Sequence, residues 1–598
     1  MKLITSSLLV LCMSAGPLSS AAALTLSGEV TADDTSEVNL LLNQMIPMRD
    51  GVSLSANIFM PAHSTSPLPA LFVLTPYIAD HNQHRGMYFP KHGYVFLSVD
   101  CRGRGNSEGA FSPLEGDGSD GYDICAWIAA QPWCNGKIGM LGGSYKGMTQ
   151  WMTLKEQPPN LETIVPTASC APGIDFPHHN NIPYPYNLQW LALTYGNASN
   201  TKLFNDREYW DSKYLRLFRG EIPFSGLPGI SGMDAAVFDR WVEHPSLDSY
   251  WESFQLSRDD YTLVDIPILT ITGHFDDDQL GAMHYYHAFM KNAGNDAKKK
   301  HYLLIGPWDH SGTRRPKASL GGIEFGENAV VDVNRYHLEW FDWTMKDGPR
   351  PSFLPDRVAY YLMGTNEWRT AGGLGDFDRS RVKWYLSSKD GEANDVFHSG
   401  FLAREHPGDQ PPDSFEHDPL GTQPDKREAD FFYARNDFLT DESDVYRDGR
   451  LIYHSLPFEE DVELTGYVQF DAYLSMNVPD TDLRVDLYEI SPEGESFFMT
   501  HDIMRARYRN SLRKEELAVP GEIDLYRFDR FSFFSRTVSK GSRLRLVIKC
   551  LNSPVWQKNF NSGGVVALET AKDARKAVIT LHHDRGNPSV LELPVRKD

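Results

Sequence analysis

Short apolar runs alternate with helix-like stretches in the first part of the chain. The runs at 69–77, 94–103 and 137–143 are largely apolar from end to end, which is typical of parallel strands buried on both faces. The stretch 121–131 between them carries apolar residues three and four apart, as an amphipathic helix does. This alternation predicts an α/β core built on a largely parallel sheet.

The pattern is interrupted over residues 170–262. This segment is rich in Tyr, Trp, Asn and Pro and contains no buried-strand run, so we expect a mainly helical insertion. The strand pattern returns at 265–276 and 299–310, and the stretch 331–346 indicates a closing helix. The interruption therefore predicts a helical cap inserted into the α/β core.

Beyond residue 351 the period of the apolar positions changes to two. Segments such as 357–364, 463–476 and 482–490 alternate as half-buried antiparallel strands do. A Pro- and Asp-rich stretch at 406–426 is typical of a surface loop. These features predict a separate β-sandwich that follows the α/β core.

The N-terminus has the pattern of a secretory signal. Lys2 precedes an apolar stretch of about eight residues, and Ala21, Ala22 and Ala23 form a small-residue cleavage site. The apolar stretch is too short for a membrane span, which needs about 20 residues. We therefore expect an exported protein, periplasmic or secreted. The predicted parts of the chain are a signal peptide (1–23), the α/β core (24–169 and 263–350), the helical cap (170–262) and the β-sandwich (351–598).

Composition and charge limit the partners. The chain has 598 residues and a formal net charge of −22, with no dense run of Lys or Arg. Nucleic-acid binding needs a basic surface, so we expect no nucleic-acid partner. No segment has the apolar length of a membrane span, so we expect none. Export permits disulfides, and Cys125 and Cys134 are the best candidate pair, with buried free thiols as the alternative. Whether the chain forms a homo-oligomer stays open.

A serine lies among glycines at the end of the third apolar run. The sequence Gly142-x-Ser144-x-x-Gly147 follows a predicted strand and precedes a predicted helix. In that context a serine can occupy a sharp nucleophile turn, where small neighbours leave room for the turn and the helix N-terminus favours developing negative charge. The alternative is an ordinary Gly/Ser loop. The strand and helix on either side favour a nucleophile.

A serine hydroxyl needs a base, and that base needs a third group to orient it. Asp276 follows one predicted strand and His310 follows the next, in the order Ser, Asp, His. All three would lie at the carboxyl edge of the sheet. Asp277, Asp278 and Asp309 are nearby competitors, with a solvated acidic loop as the plain alternative.

Distinct motifs recur along the chain: DCRGRGNSEG (100–109), QPWCNGKIGM (131–140), GGSYKG (142–147), TGHFD (272–276), GPWDH (306–310), RVAYYLMGTNEWR (357–369), MRARYRNS (504–511) and HHDRGNPSVLELPV (582–595). Together they resemble the cocaine-esterase-like family, which also holds α-amino-acid ester hydrolases, glutaryl-cephalosporin acylases and X-Pro dipeptidyl peptidases. The resemblance spans nearly all of the chain after the predicted signal.

The resemblance implies roles for five residues. Ser144 would be the nucleophile, His310 the general base and then acid, and Asp276 the carboxylate that orients the histidine. The oxyanion hole would consist of the backbone amide of Tyr145 and the hydroxyl of Tyr77; the alternative for Tyr77 is a buried aromatic whose hydroxyl binds a carbonyl. The family fold is an α/β-hydrolase core with a helical cap and a C-terminal jelly-roll β-sandwich, which agrees with the pattern above.

Substrate recognition is less determined. The amino-ester hydrolases of the family bind the substrate ammonium with three carboxylates, two after the triad aspartate and one in the cap. Here the stretch after Asp276 reads Asp277-Asp278-Gln279, and Asp175 is a candidate for the cap acid. Asp175, Asp277 and Asp278 are thus candidate ammonium contacts, but the glutamine puts a complete ammonium site in doubt.

Other chemistry is less well supported by the sequence. His284 and His287 share a helix face near His274, but no Glu follows the first histidine as in a zinc H-E-x-x-H motif. The acidic stretch 115–123 lacks the glycine that a calcium loop requires. We therefore expect neither a metal nor a cofactor.

The sequence as a whole predicts a secreted serine hydrolase that cleaves small carboxylic esters or amides. The alternatives are an α-amino-acid ester hydrolase or β-lactam acylase, a dipeptidyl aminopeptidase acting on short peptides, and, more remotely, a non-catalytic binding protein that uses the sandwich as its binding module.

Overall fold

A computed structural model describes residues 37–389, 392–421, 423–425, 437–441 and 443–596. The predicted signal peptide, 1–23, lies outside these residues. Within them, no helix combines the length and the apolar character that crossing a bilayer would require.

The first half of the chain is built on a ten-stranded sheet. Its order is β1-β2-β4-β3-β5-β6-β9-β10-β13-β14, and the strands from β4 to β13 in that order run parallel to one another. β1, β2 and β14 are antiparallel to their neighbours. The strands of this half are β1 (Val38–Pro47), β2 (Ser53–Pro61), β3 (Leu68–Thr75), β4 (Val95–Asp100), β5 (Cys134–Gly143), β6 (Leu161–Thr167), β7 (His178–His179), β8 (Ile182–Pro183), β9 (Ile268–Phe275), β10 (His301–Asp309), β11 (Ser319–Leu320), β12 (Ile323–Glu324), β13 (Val358–Leu362) and β14 (Glu367–Ala371).

Helices cover both faces of this sheet. Alternate residues of β3 point to opposite sides, so Phe72 packs in the cluster that includes α2 and α3, while Leu71 packs in the cluster that includes α13. Helices α4–α10 lie between β6 and β9 in the chain. The helices are α1 (Gln83–Tyr88), α2 (Asp117–Ala129), α3 (Tyr145–Lys155), α4 (Tyr186–Leu193), α5 (Thr201–Phe204), α6 (Arg207–Phe218), α7 (Leu227–Ser231), α8 (Ala236–Glu243), α9 (Ser249–Ser253), α10 (Arg258–Leu263), α11 (Gln279–Asn292), α12 (Asn295–Lys298) and α13 (Val333–Met345).

The first sheet extends past residue 350, where the sequence pattern placed the start of the sandwich. β13 pairs in parallel with β10, and β14 returns antiparallel beside it. All five residues of β13 are buried, so this strand lies between two covered faces. The prediction of a half-buried antiparallel strand at 357–364 was therefore wrong. Alternation between Tyr and aliphatic residues does not distinguish the two environments, because both residue types can be buried.

The second half is an all-strand domain around a core of its own. Eleven strands form one hydrogen-bonded network, and β19 pairs separately with β24. Buried positions alternate along β20, which places one of its faces on this core. The strands are β15 (Arg381–Ser387), β16 (Gly400–Ala403), β17 (Asp413–His417), β18 (Arg450–Ser455), β19 (Val462–Gly466), β20 (Gln469–Met476), β21 (Asp482–Ile490), β22 (Ser496–Arg505), β23 (Asp524–Phe528), β24 (Phe534–Val538), β25 (Arg543–Cys550), β26 (Ala577–His582) and β27 (Val590–Pro594).

The two halves share an apolar cluster and a polar clamp. Phe275 and Tyr361 of the first half pack in one cluster with Ile452 and Val547 of the second. The side chain of Gln279, at the start of α11, also exchanges hydrogen bonds with the backbone of Phe533. The sandwich is therefore fixed directly beside the loop that follows β9.

The cysteines within the described residues all carry free thiols and are buried. Burial raises the pKa of the Cys125 thiol above its ordinary value and does the same for Cys134. The structure thus has the second of the two alternatives for this pair, buried thiols rather than a disulfide.

Candidate active site

Ser144 occupies the junction between β5 and α3. Its backbone has φ 65° and ψ −133°, a conformation that residues other than glycine rarely adopt. The backbone N–H of Ser144 donates to the carbonyl oxygens of Thr167 and Ala168 at 3.0 and 2.9 Å. These bonds tie the turn to the end of the neighbouring strand β6 and hold the unfavourable conformation in place.

The surrounding glycines are required by space. Gly142 has φ 152°, and a Cβ there would lie 2.6 Å from the Cβ of Lys146. At Gly147, a Cβ would lie 2.8 Å from the Cβ of Ser169. The tight strand-to-helix turn predicted from the sequence therefore needs glycine at both positions.

Asp276 and His310 meet at the same edge of the sheet. β9 and β10 are parallel neighbours in which Phe275 pairs with Asp309, so the next residue of each strand, Asp276 and His310, emerges side by side. His310 Nδ1 lies 2.8 Å from Asp276 Oδ1. Strand β6 alone separates β9 from β5, which ends beside Ser144. The three residues that the sequence singled out thus lie at the carboxyl edge of one run of parallel strands.

The Asp276 carboxylate is held from several sides. Its side chain is fully buried, and Thr272 donates its hydroxyl to Oδ2 at 2.8 Å. The backbone N–H of Asp278 donates to Oδ1 at 3.1 Å. A carboxylate with these donors stays in one orientation and fixes the tautomer and direction of the imidazole beside it.

Asp278 is a second carboxylate next to the imidazole. Its Oδ2 lies 3.6 Å from His310 Nδ1. Burial lowers the pKa of His310, but the charge of Asp278 and the hydrogen bond to Asp276 outweigh it, so the net pKa is raised above the ordinary value. Burial raises the pKa of Asp278 well above its usual range, and the His310 charge opposes that rise.

Tyr77 lies beside Ser144. Burial raises the pKa of the Tyr77 phenol to about 12, and hydrogen bonding with Trp190 and with the Ser144 side chain acts in the opposite direction. Trp190 Nε1 donates to the Tyr77 oxygen at 3.0 Å. Because the oxygen already accepts from Trp190, the phenolic hydrogen is directed toward other acceptors, and Ser144 is close.

The side chain of Tyr145, the residue after the serine, is held by two hydrogen bonds and a ring contact. Its hydroxyl donates to Asp117 Oδ2 at 2.6 Å and accepts from the backbone N–H of Leu114 at 2.7 Å. The ring stacks on Trp190 with centroids 5.4 Å apart. Burial raises the pKa of Asp117 to about 7. These contacts hold the first turn of α3, and with it the amide of Tyr145, in position.

The three candidate ammonium contacts differ in their environment. Asp175 is 2% exposed, and its two oxygens accept from the backbone N–H groups of Ala171 and Gly281. Burial raises its pKa to about 8. Asp277 is solvent-exposed, while Asp278 is half-buried beside His310. Asp175 therefore joins the cap segment to α11 through hydrogen bonds, and the carboxylates of Asp277 and Asp278 are more accessible to solvent.

Gln279 does not face the site. Its side-chain amide is fully buried and donates to the carbonyls of Gly273 and Phe533, while its oxygen accepts from Phe533 N–H at 2.6 Å. The amide belongs to the contact between the two halves of the chain. The position that the sequence comparison marked as a departure from an acid is thus a structural one.

The histidines considered for metal binding do not converge. His274 Nε2 lies 2.9 Å from the carbonyl of Tyr361, and His287 Nε2 lies 2.9 Å from the hydroxyl of Tyr467. Among the described residues, no group of three His, Cys, Asp or Glu side chains is placed to hold a metal ion.

Trp190 is a site residue that the sequence did not indicate. It contacts both Tyr77 and Tyr145 from helix α4 of the insertion. No local signal distinguishes it from the other tryptophans of that segment, because its role depends on contacts with residues 113 and 45 positions earlier in the chain.

Comparison with known proteins places the chain in a family. The sequence profile of the X-Pro dipeptidyl-peptidase (S15 family) matches residues 50–312, and that of the X-Pro dipeptidyl-peptidase C-terminal non-catalytic domain matches residues 354–592. Cocaine esterase of Rhodococcus sp. (strain MB1 Bresler) is 28% identical over 577 residues, covering 93% of this chain and 98% of the esterase.

Two solved structures share the fold across the whole molecule. An aminopeptidase from a marine sediment archaeon, Thaumarchaeota archaeon, superposes with a TM-score of 0.80 at 22% identity, covering 97% of this chain and 100% of the other. An α-amino acid ester hydrolase superposes equally well, with the same TM-score of 0.80, identity of 22% and coverage of 97% and 100%. The predicted fold class, an α/β-hydrolase core with an inserted helical cap and a C-terminal β-sandwich, is confirmed. The chain is a serine hydrolase and belongs to the α/β-hydrolase family that contains cocaine esterase, the α-amino-acid ester hydrolases and the X-Pro dipeptidyl-peptidases.

Proposed function

We propose that the protein hydrolyses small carboxylic esters or amides through an acyl-enzyme formed on Ser144. The observation that carries the proposal is the placement of Ser144, Asp276 and His310. The serine lies in a strained strand-to-helix turn, and the hydrogen-bonded Asp276–His310 pair lies at the same sheet edge. A strained turn and a buried carboxylate aligned on a histidine each cost stability, so their coincidence is expected at a catalytic site.

In the proposed mechanism, Ser144 Oγ attacks the substrate carbonyl carbon while His310 Nε2 accepts the hydroxyl proton. Asp276 binds Nδ1–H and stabilises the imidazolium that forms. His310 then gives the proton to the leaving alcohol or amine as the acyl–oxygen or acyl–nitrogen bond breaks. Water attacks the acyl-enzyme in the same way, and its proton returns through His310 to Ser144.

The negative charge of each tetrahedral intermediate falls on the former carbonyl oxygen. The Tyr77 hydroxyl and the Tyr145 amide are proposed as its two hydrogen-bond donors. The Trp190 bond to Tyr77 supports this role, since it orients the phenol before substrate arrives, and a preorganised donor needs no reorganisation during the reaction.

Covalent labelling tests the proposal directly. A fluorophosphonate should modify Ser144 stoichiometrically and abolish hydrolysis of a 4-nitrophenyl ester, and Ser144→Ala should lose both labelling and up to about 10⁶-fold in kcat. Ser169→Ala, two residues beyond β6, is the matched control and should keep both. Labelling at another residue, or turnover that survives Ser144→Ala, would reject the assignment.

A second candidate function is hydrolysis of α-amino acid esters or short peptides with a free α-amine. The observation that favours it is the pair of carboxylates, Asp277 and Asp278, that follows Asp276 at the mouth of the site. Burial raises the pKa of both carboxylates, the charge of Asp277 adds to the rise at Asp278, and a substrate ammonium would stabilise their ionised forms. Asp175 is occupied by backbone hydrogen bonds and Gln279 faces the sandwich, so we expect two carboxylates, Asp277 and Asp278, at the ammonium site rather than three.

Matched esters separate the two functions. The methyl esters of phenylglycine and of phenylacetic acid differ at the α-amine alone, so the ratio of their kcat/KM values measures recognition of the ammonium. A strong preference for phenylglycine that disappears in Asp277→Asn would support the amino-ester function. Equal rates, or a preference for phenylacetate, would support general esterase or acylase activity.

We also propose that the protein is exported. This can be tested by locating the protein in cell fractions and sequencing its mature N-terminus.

A further inference from the structure

Three cationic side chains form a cluster on one side of Ser144. Arg85 comes from α1, Lys146 from the first turn of α3, and Arg314 from the loop after His310. Lys146 Nζ lies 3.4 Å from the amide oxygen of Asn82, three residues before Arg85. The adjacent Gly142 and Gly143 lie against Lys146 and Arg314, respectively. The charges of Arg85 and Arg314 both act on Lys146, in agreement with this placement. We refer to Arg85, Lys146 and Arg314 as the basic cluster.

The cluster borders the proposed site directly. A Cβ at Gly143, the residue before Ser144, would lie 2.8 Å from Arg314 Nη1. Lys146 Nζ lies 5.9 Å from the centre of the Tyr77 ring. The positive charge of Arg314 also acts on His310 and on Tyr77, lowering the pKa of each. The basic cluster therefore lies directly beside Ser144, Tyr77 and His310.

Across the described part of the chain, none of the three cations forms an ion pair with a carboxylate. Arg85 is 6% exposed and its Nε has no hydrogen-bond partner, and the same holds for the buried Nη1 of Arg314. The amide oxygen of Asn82, 3.4 Å from Lys146 Nζ, is a neutral and long contact.

Arg85 is buried and Lys146 and Arg314 are half-buried, so leaving these charges unpaired costs free energy. Buried guanidinium and ammonium groups normally have a carboxylate or another anion as partner, because desolvation of an unpaired charge is expensive. Desolvation and the neighbouring cations lower the pKa of Lys146 to about 7 and that of Arg85 to about 10. Burial, and secondarily the charge of Arg85, also lower the pKa of His337. In a chain of net charge −22, three neighbouring cations that form no ion pair within the described residues indicate a site that can accept an anion.

We infer that Arg85, Lys146 and Arg314 form a binding site for a carboxylate carried by the substrate. The inference rests on the proposed function, and it adds a substrate class: esters or amides with a carboxylate within reach of Ser144. Guanidinium groups bind carboxylates through paired N–H donors, and the unpartnered Arg85 Nε and Arg314 Nη1 provide such donors. Lys146 adds a point charge two residues from the nucleophile.

Two pairs of matched esters test the site. The first pair, 4-nitrophenyl hydrogen adipate and 4-nitrophenyl hexanoate, differs by a carboxylate on the acyl side. The second, 3-carboxy-4-nitrophenyl butyrate and 4-nitrophenyl butyrate, differs by a carboxylate on the leaving group. For each pair the ratio of kcat/KM, charged over neutral, is compared between the wild type and Arg314→Gln. We expect this ratio to fall about 10- to 100-fold for at least one pair, as loss of a charge-assisted hydrogen bond would cause.

Arg315→Gln is the matched control. Arg315 is the next residue, is solvent-exposed, and its replacement removes the same unit of charge. We expect it to leave both ratios unchanged, and Arg314→Lys, which keeps the charge, to restore part of the preference. An equal fall in Arg315→Gln would indicate long-range attraction rather than a binding site and would overturn the inference. So would ratios that do not differ between Arg314→Gln and the wild type.

Free anions provide the second arm. Adipate should inhibit hydrolysis of the neutral hexanoate ester competitively in the wild type and at least tenfold more weakly in Arg314→Gln. If phosphate or acetate instead raises the thermal midpoint of the wild type alone, while ester ratios stay equal, the cluster holds a free structural anion and the substrate inference fails. Loss of the inference would leave hydrolysis of the neutral esters and labelling of Ser144 intact, whereas failure of the proposed function would abolish both.

Discussion

Asp278 offers the sharpest test of how this site sets the basicity of its histidine. Asp278 Oδ2 lies 3.6 Å from His310 Nδ1, and the charge of Asp278 is the largest of the influences that raise the pKa of His310. The neutral imidazole is the form that can accept the Ser144 proton. A raised pKa therefore means that activity is lost at a higher pH as the medium is acidified, and Asp278→Asn should move the acidic limb of kcat/KM to lower pH.

The size of the shift follows from the distance. Two unit charges 3.6 Å apart interact by about 1.2 kcal/mol in water and about 4.6 kcal/mol at an effective dielectric constant of about 20. Since one pKa unit corresponds to about 1.4 kcal/mol, these limits span about one to three units. Asp278 has a raised pKa of its own and is ionised only in part as the pair titrates. We therefore expect a shift near the lower limit, about one unit.

The assay is a pH profile of kcat/KM with a neutral 4-nitrophenyl ester, so that no substrate charge titrates. Asp277→Asn is the matched control, because Asp277 precedes Asp278 in the chain and is not among the groups that dominate the pKa of His310. Asp277 raises the pKa of Asp278, so its removal should leave the limb in place or move it slightly upward. An acidic limb that stays fixed or rises in Asp278→Asn would refute the electrostatic reasoning.

Three further predictions concern the oxyanion donor, the turn and the domain contact. Tyr77→Phe should lower kcat about 10²- to 10³-fold and lower the thermal midpoint slightly, because Trp190 Nε1 loses its acceptor; a kcat near that of the wild type would contradict the proposed role of Tyr77 as a donor. Gly142→Ala should destabilise the fold by about 1–3 kcal/mol in urea unfolding, because φ is 152° and the new Cβ would lie 2.6 Å from that of Lys146. Gly294→Ala, where a Cβ meets open space, is its control, and equal midpoints in the two variants would reject the argument. Gln279→Glu should lower the free energy of unfolding by about 3–5 kcal/mol at pH 8, since a carboxylate would face two carbonyls. The decrease in the free energy of unfolding caused by Gln279→Glu should become smaller toward pH 5, because the folded state can then keep the new carboxyl group protonated. A decrease of the same size at both pH values would count against this explanation.

Much of the candidate site could be predicted because its determinants are local. The apolar run before Ser144, the glycines around it and the helix pattern after it are contiguous, and together they specify a strand-to-helix turn whatever the rest of the fold does. Asp276 and His310 each follow a buried run. Parallel neighbours align their carboxyl ends, so the order along the chain was enough to expect them together.

Other features depended on contacts that no local pattern encodes. Gln279 bonds to Phe533, 254 residues later, and Asp175 bonds to Gly281, 106 residues later. In sequence both positions looked like variations in a substrate-binding cluster, but burial and backbone partners make both of them structural. β13 was misplaced for the same reason, because pairing with β10 decides which sheet it joins.

The sequence by itself determined the fold class and the strand-to-helix turn at Ser144, since these follow from hydrophobic period and glycine placement along one chain. Tertiary structure alone decided which side chains meet: Asp278 with His310, Trp190 with Tyr77, and three cations around the serine. Electrostatic interactions depend on distance and burial, and for residues far apart in the sequence neither quantity can be derived from the local sequence pattern.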